Sequence, residues 1–502
     1  MCTLYVTPEL LEQTKSIIER EYRLGEVVEM VDMLQAAPRS SGSCMIISAK
    51  GIGLAVDWDN YQPPFLLRER LPLVADTLLG LVYVKLGNFE KAYELLAGDQ
   101  NLLSDIDLLN RLQNGAPVRT EQLAADYSEF DEYRLLHNSA ILMHYGDTGQ
   151  APDYDKLRYF YHEALLAAPN DEHKAFTAKH YATLLIDFDD LEGAENILIP
   201  AIQYALSEDA KMELKATLCA VWLKKLAVPY DQALLANLKD QLWAVLQYYE
   251  KSGRTLEVGL ILLDAAQVAQ ICESWSESLG YVNRALAIFE QEEQPGLLAN
   301  AFMRRGTTLY AWGKNGNPQF YKGAIESFQE ALKVFTREDA PAVFAEIHHQ
   351  LGVIYSEIPS EVKKKSIWAA VSSTSFKEAL DFYTKEEYPY EYASICNNFG
   401  NAMTKYPDAI HSDNHEKALF YYAEALEIRT AAQYPTERAV TLLNYIEACW
   451  YIGDEHTDFN QARFEDMVRK AEEVKTLVSD PTMLADAENH LEKLAQLQKT
   501  NA

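Results

Sequence analysis

The sequence predicts an all-α fold, a solenoid of stacked helix pairs carrying one small β-hairpin, and three observations predict it. Prolines recur at Pro295, Pro341, Pro389 and Pro435, at steps of 46, 48 and 46, each followed four residues later by Ala299, Ala345, Ala393 or Ala439. Gly306, Gly352 and Gly400 stand eleven past the first three prolines, and Ile446 breaks the row in the fourth. A second ladder, Ala285-Leu286, Ala331-Leu332, Ala379-Leu380 and Ala425-Leu426, keeps the same spacing. Finally, 22 Gly and 18 Pro in 502 residues are too little punctuation for a large β fold, which turns about every 8–12 residues.

Each repeat reads as two helices. A proline in the first helical turn removes only an N–H that would lack an intrahelical partner. The small residues at plus four and plus eleven lie about 700° apart, so they share one face and let a neighbouring helix approach closely. The second helix has its own apolar period, as in Ala324, Phe328, Ala331, Leu332 and Phe335. One such pair has too little core to stand alone, whereas stacked pairs bury a continuous one.

Earlier pairs are fainter. They are expected over Leu71–Leu86 with Phe89–Leu96, then 131–146 with 154–168, 172–187 with 191–206, 209–227 with 230–250, and 255–273 with 275–291. The stretch from Pro481 to Gln498 reads as a final capping helix, with Asp480 as its N-cap and Leu484, Leu491, Leu494 and Leu497 on one side. Two segments leave the helical pattern. Met45–Ser48 and Ile52–Trp58 flank the turn Ala49-Lys50-Gly51, which predicts a hairpin interrupting the first helices. An irregular insertion, Pro359–Ser375 with Lys363, Lys364 and Lys365, separates the helices of the 341 repeat.

LVYVKLGNFEKAYELL from Leu81, and the series Tyr161 to Leu165, Pro169 and Ala182, resemble tetratricopeptide (TPR) repeats. TREDAPAVFAEIHHQLGVIY and YPYEYASICNNFGNAM resemble the long TPR variants of bacterial multi-repeat proteins, some of which end in a caspase-like protease domain. The resemblance covers about 70–460 and implies a right-handed superhelix of helix pairs. No protease domain is expected, since repeats run almost to residue 480. The expected organisation is 1–69, N-terminal helices with the hairpin insertion; 70–253, degenerate pairs; 254–480, regular repeats; and 481–502, cap and tail.

Charge and cysteine content narrow the function. With 45 Lys plus Arg against 75 Asp plus Glu, the net charge is −30, which repels nucleic-acid backbones and anionic lipid, so neither partner is expected. Six cysteines, 2, 44, 219, 272, 396 and 449, form no C-x-x-C pair; buried reduced thiols and a cytoplasmic location are expected. No secretory signal is expected, since MCTLYVTPELLEQTK lacks a basic region followed by an apolar core, and no membrane span is expected without a stretch of about 18 uninterrupted apolar residues.

The sequence carries no phosphate-loop pattern, G-x-S-x-G elbow or H-E-x-x-H helix. Lys50-Gly51-Ile52-Gly53 lacks the third glycine of a dinucleotide fingerprint. His411-Ser412-Asp413-Asn414-His415, near Asp408 and Glu416, has metal-ligand spacing, but Asp413 or Asn414 reads better as a helix cap. His348 and His349 point about 100° apart. His137/His144 and His173/His180 have the spacing of core or surface stripes. No catalytic residue, metal or cofactor is expected.

A polar stripe does stand out. Positions plus five, plus nine and plus twelve from each proline lie within about 60° of one another, and the plus-nine row lies about 140–160° from the small-residue seam. That row reads Asp264, Arg304, Gln350, Asn398 and Asn444, with Asn401 beside it. Asn and Gln carry donor and acceptor together, which suits an extended peptide backbone. The TPR resemblance implies that this face lines a concave groove. A TPR clamp for a terminal carboxylate uses lysines and arginines around paired asparagines; here only Arg304 in the stripe is basic. The expected function is a non-enzymatic scaffold or adaptor whose partner is a neutral or basic protein or peptide. The alternatives are a TPR receptor for a short signalling peptide and, more remotely, an enzyme using Cys44, Asp57 or Asp59 of the 39–64 insertion.

Overall fold

The computed structural model describes residues 2–35, 44–54, 56–58, 64–123, 129–227, 229–359, 362–407, 413–452 and 460–501. The chain packs as two units, Met1–Asp264 and Ala265–Ala502.

The first unit opens with β1 (Cys2–Val6), α1 (Leu11–Ile18) and β2 (Val28–Asp32), continuing through β3 (Cys44–Ser48), β4 (Gly51–Leu54) and β5 (Arg70–Leu71). The strands form one sheet in the order β2-β1-β3-β4-β5. The expected hairpin is there: β3 and β4 run antiparallel, pairing Ser48 with Gly51 and Ile47 with Ile52. It does not interrupt a helical region. Cys2–Val6 is itself a strand, parallel to both β2 and β3. Its residues Leu4, Tyr5 and Val6 are all buried in succession, so no alternation betrays a strand, and a short apolar run has no period of its own. Gly51 has φ +107, and a Cβ there would lie 2.3 Å from the Leu71 carbonyl oxygen, so β5 can reach β4 only over a glycine.

Helices follow: α2 (Ala75–Lys85), α3 (Phe89–Leu96), α4 (Gln100–Gln113), α5 (Glu129–Tyr145), α6 (Tyr154–Ala167), α7 (Asp171–Asp187), α8 (Leu191–Ala201), α9 (Glu208–Lys225), α10 (Gln232–Ser252) and α11 (Thr255–Ile271). The expected pairs appear close to their predicted bounds; α4, capped by Asp99 accepting from Leu102 N at 3.0 Å, is additional. Asn88, Asp153, Asn170, Asp190 and Ser207 likewise cap the helices that follow them.

The second unit takes the end of α11 from Ala265 and then α12 (Trp275–Gln291), α13 (Pro295–Lys314), α14 (Phe320–Ala331), α15 (Pro341–Glu357), α16 (Val362–Phe382), α17 (Pro389–Met403), α18 (Asn414–Ile428), α19 (Pro435–Cys449), α20 (Gln461–Leu477) and α21 (Pro481–Asn501). Helices α13, α15, α17, α19 and α21 all begin at a proline. The seam forms as the spacing requires: Ala299, Ala345, Ala393 and Ala439 are buried, and an aromatic side chain of the second helix presses on each glycine. A Cβ on Gly306 would lie 2.7 Å from Phe328, on Gly352 2.9 Å from Phe376, and on Gly400 2.5 Å from Tyr422. Where Ile446 replaces glycine, Val468 stands in the register of those rings and packs in the same cluster, which also holds Phe464. Asp480 caps α21, accepting from Thr482 N and Met483 N at 3.0 and 2.9 Å, and Leu494 is buried between half-buried Leu491 and Leu497.

Candidate functional site

The proline-started helices turn their small residues toward the following helix, which leaves the opposite polar row half-buried rather than fully solvated. Arg304 donates from Nη2 to Gln267 Oε1 at 2.9 Å. Gln350 donates to Glu346 Oε1 at 2.7 Å. Asn398 Nδ2 meets His349 Nε2 at 2.9 Å, which ties α17 to α15. Asn444 Nδ2 donates to Asn397 Oδ1 at 3.1 Å, which ties α19 to α17. Asn401 accepts from the Tyr422 hydroxyl at 2.7 Å. In α15, α17 and α19 the row is therefore not a set of separate amides but a relay across the first helices of three successive repeats. Asn397 and Asn398 spend both ends within the relay, while Asn444 Oδ1, Gln350 Oε1 and Asn401 Nδ2 make no further described hydrogen bond.

His349 and Asn397, both buried, complete the relay and were not among the expected site residues. Both stand eight past a proline, beside the plus-nine row, so a polar side chain next to the stripe was the available signal. His348, its neighbour, instead packs against Phe344 with ring centroids 4.4 Å apart, as a 100° separation demands. Burial pushes the Glu346 carboxyl up, but bonds from His349 and Gln350 outweigh it and hold the group below its ordinary range. The face thus keeps a carboxylate at Glu346, with exposed Glu447 further along.

Asp264 ends the first unit, half-buried on α11, and belongs with that unit's side chains. Burial and the nearby Asp264 carboxylate together push the Cys219 thiol up to about 12. All six cysteines are free, and all but Cys272 are buried.

Among the described residues no three His, Cys, Asp or Glu side chains converge as a metal site. Asp408 and His411 lie outside the described residues. His415 stacks on Tyr451 at 5.2 Å. Asp413 precedes α18 but makes no side-chain cap: its φ of 44 is left-handed, which turns the carboxylate away from the first-turn N–H groups. Of the 39–64 candidates, Cys44 is buried in β3, Asp57 is half-buried, and Asp59 lies outside the described residues. His137, His144, His173 and His180 gather with Phe130, Tyr133, Phe176 and Tyr161 in a ring-packed core. Among the described residues no helix is long and apolar enough to cross a membrane.

No protein-family model matches the chain, and no curated protein sequence matches it. Among solved structures it is similar to the APC/C hetero-tetramer Cut9-Hcn1, at 13% identity over 84% of this chain and 72% of that one, with a TM-score of 0.38. It is similar also to yeast Tom70, at 13% identity over 84% and 82%, TM-score 0.35. The P58(IPK) TPR domain matches at 12% identity over 85% and 98%, TM-score 0.23. The proline-started helices, their small-residue seams and the aromatic side chains packed on them make the fold a tetratricopeptide-like α-solenoid with a small five-stranded sheet in its first unit.

Proposed function

We propose that this chain is a non-enzymatic, cytoplasmic scaffold or adaptor that binds an extended segment of a partner protein along the stripe of its second unit. The observation that carries the reading is the relay from Glu346 and His349 through Asn398 and Asn397 to Asn444. Gln350, Asn401 and Asn444 are each fixed at one end and open at the other, so they are organised before a ligand arrives and lose little side-chain entropy on binding. Their spacing along the first helices of consecutive repeats suits the alternating donors and acceptors of a peptide backbone. Glu346, Glu447 and the net charge of −30 favour a neutral or basic segment and speed its approach.

Partners retained from a native lysate by the full chain should be lost, by about tenfold or more, from the Asn398→Ala/Asn444→Ala double variant. Its thermal melt checks that the helices persist. Unchanged retention by a folded double variant would remove the stripe from the binding surface.

A further inference from the structure

The insertion at Pro359–Ser375 lengthens α16 to 21 residues, against 12 in α14 and 15 in α18. The added turns carry Trp368, whose ring stacks parallel to that of Tyr355 at 5.5 Å and 10°. Beside them, between the ends of α15 and α17, opens a cavity of about 450 Å³ lined by Tyr355, Glu357, Lys365, Trp368, Lys405 and Tyr406, with Ile358, Pro359 and Pro407 completing the apolar wall. That volume falls in the range of small-ligand sites.

The walls are held in place. Tyr406 donates to Ser372 Oγ at 2.8 Å, and Ser372 donates to the Gly352 carbonyl at 2.6 Å. Glu357 accepts from the Tyr310 hydroxyl and from Lys405, each at 2.7 Å. Burial pushes its carboxyl up, yet Lys405 and Tyr310 more than offset this, so Glu357 is ionised. Glu357 then neutralises Lys405, leaving Lys365 as one surplus positive charge among the lining side chains. Lys365 makes none of the described ion pairs. A lysine in the first turn of a helix also runs against the helix dipole, so helix stability does not account for it.

We propose that this cavity is a binding site for a monocarboxylate carrying an aromatic or branched apolar group, with the carboxylate on Lys365 and the apolar group against Trp368 and Tyr406. One surplus charge matches a monoanion and leaves the second charge of a phosphate dianion uncompensated. The site is separate from the stripe: no stripe residue lines it. The carboxylate can come from a free acid or from a peptide, and the experiment separates these sources.

Calorimetric titration of the full chain uses four probes: 3-phenylpropanoate, 3-phenylpropanamide, acetyl-Gly-Gly-Phe with a free carboxylate, and inorganic phosphate. At least one of the two carboxylates should bind saturably, with a Kd below about 1 mM, while the amide and phosphate do not. Preference for phenylpropanoate identifies a free acid as the ligand, and preference for the tripeptide a peptide terminus. Lys365→Gln, at an exposed position, should weaken binding about tenfold without moving the melting temperature. Trp368→Ala should abolish binding and Trp368→Phe retain most of it. Absence of saturable binding by either carboxylate, equal binding of the amide, or full affinity in folded Lys365→Gln overturns the proposal.

Discussion

In the second unit Phe328, Phe376 and Tyr422 each press on a glycine of the helix before them, the same contact made three times. In the first unit the comparable work is done by contacts that occur once. Arg134, fully buried, bridges Asp105 at 2.8 Å and Asp131 at 2.7 Å, joining α5 to α4. Glu213 on α9 pairs with Lys179 on α7 and with Arg254, and accepts from the Tyr249 hydroxyl. Trp58 donates to Glu172 on α7, while its own carbonyl accepts from Arg254, 196 positions away. Shape complementarity repeated along the chain tolerates drift in any one repeat. A private buried ion pair tolerates none, because removing one partner strands the other charge.

Four changes probe that contrast. The largest effect belongs to Arg134→Ala, which leaves Asp105 and Asp131 without their buried cation and should cost about 3–5 kcal/mol by urea denaturation. A loss under about 1 kcal/mol would mean that the first unit does not depend on this pair.

Acid comes next. Burial pushes His137 down to about 4 from an ordinary 6.5, and it lowers His144, His173 and His180 as well. Between about pH 6.5 and 4 the unfolded chain binds protons that the folded one refuses, so stability is full above that window and falls as pH drops through it. For His137 alone the loss approaches about 3 kcal/mol near pH 4. Asp105, which burial raises to about 6 against the pull of Arg134, works in the opposite sense and returns part of this. Melting curves from pH 7 to 4 should show the first unit weakening, with a shallower slope in His137→Gln. An unchanged slope in that variant would contradict the assignment.

Gly352→Ala brings a Cβ to 2.9 Å from Phe376 and should cost about 1–3 kcal/mol. Combining it with Phe376→Leu should cost less than the two singles together, because a smaller side chain opposite the added Cβ relieves the close approach. Additive costs would show that the glycine and the ring are not coupled. The smallest effect is Asp480→Ala, which removes the cap of α21 for about 1 kcal/mol in chemical denaturation.

The same contrast decides what was legible in the sequence. The small-residue seam, the proline starts and the Asp480 cap could be read because each rests on local spacing or on a motif repeated in register. Arg134 could not be paired with Asp105, nor Trp58 with Glu172, since a contact used once leaves no period. The sheet was legible only at its hairpin, where Gly51 marks the turn; β1 and β2 are five-residue strands that pair in parallel with no tight turn between them. The stripe residues were legible through helix geometry, but their relay was not, because His349 and Asn397 acquire meaning only when the first helices of consecutive repeats come within bonding distance.

The docking role of the stripe is tested most directly by photo-crosslinking. A benzophenone side chain is placed in turn at Gln350, Asn398 and Asn444, and as a control at Phe420, which is exposed on α18. The account predicts that partner protein is captured from the three stripe positions and not from Phe420. Capture from Phe420 with none from the stripe would contradict it.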